Sequence, residues 1–313
     1  MCLKWVALKL IAMLGFLNFY KPTGCTSHDC VAQVRRALRT KRVGHGGTLD
    51  PAASGVLPIA VGQATRLLAY LAEGKAYQAT IRFGLKTTTD DLEGEVLETA
   101  DVEGLSLETI ESLLPQFLGR ICQTPPRYSA IQVQGKRLYD LARAGEVVQV
   151  PERWVQISSL KVLHWRNTPY PELDLAVECG AGTYIRSLAR DLGDRLGTGA
   201  TLAALIRTQS SGFQLEDSIT IEQIQTDLEP GLLTLLSPTT VLSHLSTVRL
   251  DQSQDLQRWY QGQRLETATL ATEVLSVGEA VLVVNGQEQC LGLGVLVVPE
   301  DNPLLQPKVV FNP

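Results

Sequence analysis

The sequence predicts an α+β fold: a larger region mixing strands and helices, then a small β-rich region at the C-terminal end. Three observations carry this reading. Apolar residues alternate over 76–83 and 173–179, the two-residue period of half-buried strands, whereas 30–38, 63–73, 106–118 and 183–196 carry helical stripes. After about residue 245, short apolar runs (AVLVV from 280, GLGVLVV from 292) alternate with turns. Between the early elements, residues 43–66 (VGHGGTLDPAASGVLPIAVGQATR) hold five Gly, two Pro, one His and one Asp, with no period until Val56. That stretch is a shaped loop, and the rest of the chain is organised around it.

The elements follow in order. Gly15 to Tyr20 reads as a strand, a Pro-Thr-Gly turn follows, and Ser27 is placed as the N-cap of a helix whose stripe is Cys30, Val31, Val34 and Leu38. In the loop, Gly44, Gly46 and Gly47 permit sharp turns, while Pro51 fixes its own φ and biases Asp50 toward an extended conformation. A carboxylate on a stiffened turn suits nucleophilic or acid–base work, though the same residues fit an ordinary Asx turn. Gln63 to Glu73 is expected to be helical, with Ala64, Leu67, Leu68 and Leu71 inward, and Tyr77, Ala79, Ile81 and Phe83 share one face of the next strand. An amphipathic helix is expected at 106–118. In the last helix, Ile185, Leu188, Ala189, Leu192 and Leu196 form the stripe, and Arg186 lies outside it near the N-terminus. A cation there opposes the helix dipole and so calls for an anionic partner.

Composition narrows the function classes. With 313 residues, 44% of them hydrophobic and 19% charged, the chain has material for a core and no long disordered tract. The six Cys and four His are scattered, without CxxC or HxxxH, so neither a metal site, a cofactor fingerprint nor a disulfide framework is expected. Free thiols point to a reducing, cytoplasmic setting. The opening MCLKWVALKLIA is too short to span a membrane, and residues 1–12 are taken as an extension or a misassigned start, with Met13 the alternative. The net charge of −5 argues against nucleic acid, but the charge is segregated. Residues 120–143 hold five cations against Asp140 alone, while 86–119 hold nine acids and one Lys. A basic face and an acidic back suit an RNA partner.

The loop closely resembles the catalytic motif of the TruB-type tRNA pseudouridine synthases, through Gly44, His45, Gly47 to Pro51, Ala53, Gly55 to Pro58, Gly62, Ala64 and Thr65. Arg66 stands where the family usually has Lys. Lys21, Pro22, Gly24, Thr26, Ser27, Asp29 and Val31 match a second family motif, and Gly182 to Gly193 a third. Lys75, Tyr77, Phe83, Gly84, Thr87, Thr89, Asp90 and Gly94 match another only loosely in spacing. Residues 123–153 resemble the family's thumb-like insertion over the RNA, and 200–213 its closing motif.

The resemblance implies a catalytic domain at 13–244 with a mixed, mainly antiparallel sheet, and a PUA-like domain at 245–313. It implies isomerisation of uridine 55 in the T arm of tRNA, after the base is flipped out of its stack. Asp50 is then the nucleophile, Arg186 its partner and orienter, and Tyr77 the ring against the uracil with an oxygen placed to help move the C5 proton. His45 enters the space the base leaves, Tyr184 is a pocket wall and Leu205 packs on the uracil. Lys21, which also braces the loop, and Arg66 and Arg143 contact RNA or support the site, and Arg207 is structural or phosphate-facing. No membrane, no cofactor and no obligate protein partner are implied, and a monomer is the default. Two other classes fit less well. A non-catalytic RNA-binding protein would not need Asp50, Tyr77 and Arg186 together, and a hydrolase pairing Asp50 with His45 lacks a serine elbow or a metal set.

Overall fold

A computed structural model describes residues 14–129, 132–133, 136–137, 150–266, 276–299 and 303–311. The first sheet runs β1 (Gly15–Lys21), β3 (Ser54–Val61), β12 (Ala200–Ser210), β4 (Lys75–Phe83), β11 (Glu172–Cys179), β10 (Arg153–Arg166) and β7 (Gly119–Gln123). Neighbours are antiparallel except β3 and β12, so the sheet is mixed and mainly antiparallel. Two short strands join it: β2 (Val43–His45) on β3 and β13 (Phe213–Gln214) on β12. Small hairpins pair β5 (Leu85–Thr87) with β6 (Val96–Thr99), and β8 (Gln132–Val133) with β9 (Lys136–Arg137). The helices of this region are α1 (Ser27–Ala37), α2 (Leu107–Leu113), α3 (Ile185–Leu196), α4 (Ile221–Leu228) and α5 (Pro238–Val241).

β3 positions everything else. Its eight residues are all buried, as its near-continuous apolar sequence demands. On one flank it pairs with β1 from Gly55 to Val61; on the other it changes partner, meeting β12 at Ser54 and Gly55 and β2 at Ile59 to Val61. Between these pairings the strand has no ladder neighbour on that flank, and Pro58, which has no N–H to offer, falls in the gap. The gap's carbonyls are taken instead by Gly46 N–H on Pro58 (2.8 Å) and Arg207 Nε on Val56 (2.7 Å). The loop from Gly46 to Ala53 emerges from this fork. Gly55 is required there: its φ is +110°, and a Cβ would lie 2.2 Å from the Arg207 carbonyl oxygen.

Three expectations change in detail. The N-cap of α1 is Thr26, which forms a reciprocal capping box with Asp29; the Ser27 hydroxyl is spent on Leu49, accepting from its N–H (2.8 Å) and donating to its carbonyl (3.1 Å). Gly62–Tyr70 is a 3-10 helix rather than an α-helix, with Ala64 and Leu67 fully buried and Leu68 and Leu71 only partly so. The helix expected at 106–118 is α-helical over Leu107–Leu113 and finishes as a 3-10 turn over Leu114–Phe117, where Pro115 has no N–H for the α ladder.

The C-terminal sheet has the order β14 (Thr247–Leu250), β16 (Ala280–Asn285), β17 (Cys290–Val297), β18 (Leu304–Val310) and β15 (Leu265–Glu266), with α6 (Ser253–Tyr260) packed through Trp259. It shares a core with the first region: Leu282, Val284, Leu293, Val309 and Phe311 pack with Phe16, Val56, Leu67 and Phe213. Arg66 donates to the Val310 carbonyl across this junction (2.8 Å). Among the described residues no helix is long and apolar enough to cross a membrane.

Candidate active site

The loop, the start of β4, the N-terminus of α3 and β12 converge on a cavity of about 290 Å³. Thr48, Leu49 and Asp50 come from the loop, Lys75 and Tyr77 from β4, Gly182 to Arg186 from the α3 entry, and Leu205 from β12. Its size is near the lower end for small-molecule sites, about 300 Å³.

Asp50 is the only carboxylate lining this cavity among the described residues. Its Oδ2 lies 2.9 Å from Arg186 Nη2, and its side chain keeps 39% of its exposure while that of Arg186 keeps 6%. The acid therefore faces the cavity and the base is the wall behind it. Arg186 occupies the second position of α3, where the helix N-terminus disfavours a cation. Three further acceptors offset this: Asp91 Oδ2 at 3.4 Å, and the carbonyls of Thr89 and Tyr128, each at 3.0 Å. A guanidinium held at four points fixes the direction of Asp50. Burial raises the Asp50 pKa above the ordinary value, and Arg186 opposes the rise.

Asp91 corrects the sequence reading by one residue. Counted from Thr87 and Thr89, the family spacing falls on Asp91 and Gly94 and matches in full. Asp90 instead pairs with Arg190 at 2.8 Å, and has φ of +60°. The signal was present in the spacing and was lost by taking the first of two adjacent acids.

Tyr77 is buried, with the Arg207 guanidinium at its hydroxyl; burial pushes the phenol up to about 12, against the pull of Arg207. At neutral pH it keeps its proton and offers a ring face. Arg207 is fully buried and donates to the carbonyls of Val56, Thr48 (3.3 Å) and Gly47 (3.1 Å). Of its two expected roles, the structural one is the one its surroundings permit. Tyr184 is gripped by Gln123, whose amide accepts from the Tyr184 N–H (3.1 Å) and donates to its carbonyl (3.3 Å).

The remaining predicted residues divide. Lys21 is fully buried, and its amine donates to the carbonyls of Ala53 (2.6 Å), Pro22 (2.9 Å) and Pro51 (3.3 Å). With three donors spent, it has none left for RNA, so of its two expected roles only the brace is compatible with its position. Arg66 is directed at Val310 rather than at the cavity. His45 ends β2 half-buried, outside the cavity lining, with Nδ1 buried and unpartnered and its pKa lowered by burial. Arg143 lies outside the described residues, as does most of the 123–153 insertion. Lys75 was noted only as part of a motif; it lines the cavity, with its pKa lowered by burial and then by Arg207.

Two solved chains share this fold over 98% of the present chain and 87% of their own, each with a TM-score of 0.73. One is from an H/ACA RNP bound to a substrate RNA containing 2′-deoxyuridine (24% identical), the other from a Cbf5–Nop10–Gar1 complex (25% identical). These likenesses establish the fold. Residues 35–185 match the model of the TruB family pseudouridylate synthase N-terminal domain, and 186–240 that of the tRNA pseudouridylate synthase B C-terminal domain. Proteins named tRNA pseudouridine synthase B from Synechocystis sp. and Nostoc sp. are 56% and 52% identical over 96% of this chain, and over 100% and 99% of theirs. The chain belongs to the TruB family of tRNA pseudouridine synthases, and it is an isomerase acting on uridine in RNA.

Proposed function

We propose that the enzyme converts uridine 55, in the T arm of tRNA, to pseudouridine, with Asp50 as the nucleophile. The observation that carries this is the Asp50–Arg186 pair set into the wall of a cavity of single-nucleotide size. Arg186 keeps the carboxylate ionised and aimed despite its burial. The N1–C1′ bond breaks, the uracil turns within the pocket, C5 bonds to C1′, the C5 proton leaves and N1 gains a proton. Tyr77 and Leu205 offer flat and apolar walls to the turning ring, and Asp50 holds the reacting fragment. Reaching this depth requires the base to leave its stack. The names of the relatives support tRNA as substrate.

Release of tritium from C5-labelled uridine in an unmodified tRNA transcript tests the reading. One release per tRNA is expected with the full sequence, and none when uridine 55 is replaced by cytidine. Undiminished release from the replaced transcript would contradict the assigned position.

A further inference from the structure

The turn before α1 carries a second reactive feature, outside the cavity. Cys25 and Cys30 place their sulfurs 3.7 Å apart, Cys25 partly exposed and Cys30 fully buried. Cys25 immediately precedes the N-cap Thr26, and Cys30 lies four residues beyond that cap. These are the positions that a hydrophobic staple occupies, so the helix geometry itself brings the two side chains together. A disulfide needs about 2.05 Å between sulfurs, and so an approach of roughly 1.7 Å from where they stand.

The same turn straps down the catalytic loop. Gly24 N–H donates to the Pro51 carbonyl (2.9 Å), Lys21 donates to Pro51 and Ala53, and the Ser27 hydroxyl bonds both N–H and carbonyl of Leu49. Cys25 sits inside this strap, its thiol donating to Pro22 (3.5 Å). A shift of Cys25 toward Cys30 therefore pulls on the segment that holds Asp50.

We propose that Cys25 and Cys30 are a redox modification site: exchange with a small-molecule disulfide closes a Cys25–Cys30 bond, which displaces the strap and lowers turnover. The Cys25 thiolate attacks the external disulfide, forming a mixed disulfide and releasing one thiol. Cys30 then loses its proton and attacks the Cys25 sulfur, releasing the second thiol. The two cysteines lose two electrons, the external disulfide gains them, and the two protons end on the released thiols. Burial and the neighbouring Cys25 push the Cys30 thiol up to about 12, against the pull of Lys21, so the accessible Cys25 attacks first and closure quickens as pH rises.

The test uses the full chain carrying Cys122→Ser, which removes an exposed thiol elsewhere. It is incubated with oxidised glutathione, free thiols are alkylated, and the peptide holding both cysteines is weighed; turnover is measured before and after dithiothreitol. The expected result is loss of two hydrogens from that peptide, with kcat down at least about tenfold, since a shift of about 1 Å at a catalytic group can cost about 100-fold. Dithiothreitol should restore turnover, and Cys25→Ser should be active and insensitive. A mixed disulfide that never closes, a closed bond with unchanged kcat, or equal inhibition of Cys25→Ser would overturn the proposal. The mass readout does not depend on which uridine is the substrate.

Discussion

At the scale of the residue, Asp50 is a charge placed where burial disfavours it. Its carboxylate is offset by Arg186 but still holds its proton to a higher pH than an ordinary aspartate. Asp50→Asn should abolish tritium release while leaving tRNA affinity within a few-fold. The stability sign follows from linkage: a raised native pKa contributes stability at low pH that is lost as pH rises through it. At neutral pH the charged Asp50 is thus a cost, and Asp50→Asn should not lower Tm, which a thermal melt at pH 7 reads directly. The same shift puts the acid limb of kcat/KM above the usual carboxylate range. Arg186→Gln removes the opposing cation, so in a pH–rate profile that limb should move further toward neutrality and kcat should fall. An unmoved limb would detach Asp50 from the profile.

That Asp50, Tyr77 and Arg186 meet in one cavity was legible because their motifs have fixed spacing. What the sequence hid was which neighbours those residues meet. Lys21 and Arg66 carry positive charge, and charge alone suggests phosphate; only the fold shows Lys21 capped by three carbonyls and Arg66 turned to the second sheet. Asp91 differs from these, since its spacing from Thr87 and Thr89 already marks it, and the fold adds that it faces Arg186 while Asp90 faces Arg190.

At the scale of the element, the central device is the fork in β3, where the strand changes neighbours and the loop bearing Asp50 escapes. Strand alternation in 76–83 and 173–179 is visible in a sequence, but the fork joins β2 and β3 to β12, a strand far along the chain. Its marks, Pro58 in a buried strand and Gly55 at positive φ, are legible only once β12 is beside them. Gly55→Ala should cost roughly 3 kcal/mol or more in urea unfolding, because the backbones of β3 and β12 cannot part without losing Arg207 from the loop. Lys21→Met strips donors from Pro51 and Ala53; it should cost roughly 1–3 kcal/mol and lower kcat more than tRNA affinity. A Lys21→Met enzyme with normal kcat and weakened RNA binding would instead return Lys21 to the RNA surface.

At the scale of the molecule, two sheets share a core, so the C-terminal sheet supports the floor under the loop as well as its own fold. The chain is acidic overall, with cations gathered in 35–42 and 120–143. RNA binding by such a chain should rest on those local cations, and log K for tRNA should fall steeply and linearly with log salt, at a slope of about −0.7 to −0.9 per phosphate neutralised. A flat salt response would remove the basic stretches from the RNA interface.

The proposed reaction has Asp50, oriented by Arg186, isomerise one uridine of the T arm. Carbodiimide-stop primer extension on an unmodified tRNA transcript, comparing the native chain with Asp50→Asn, tests it most directly. A single new stop reporting position 55, absent with Asp50→Asn, is the predicted result. A stop that survives Asp50→Asn, or folded native protein that binds tRNA tightly and produces no stop, would contradict it.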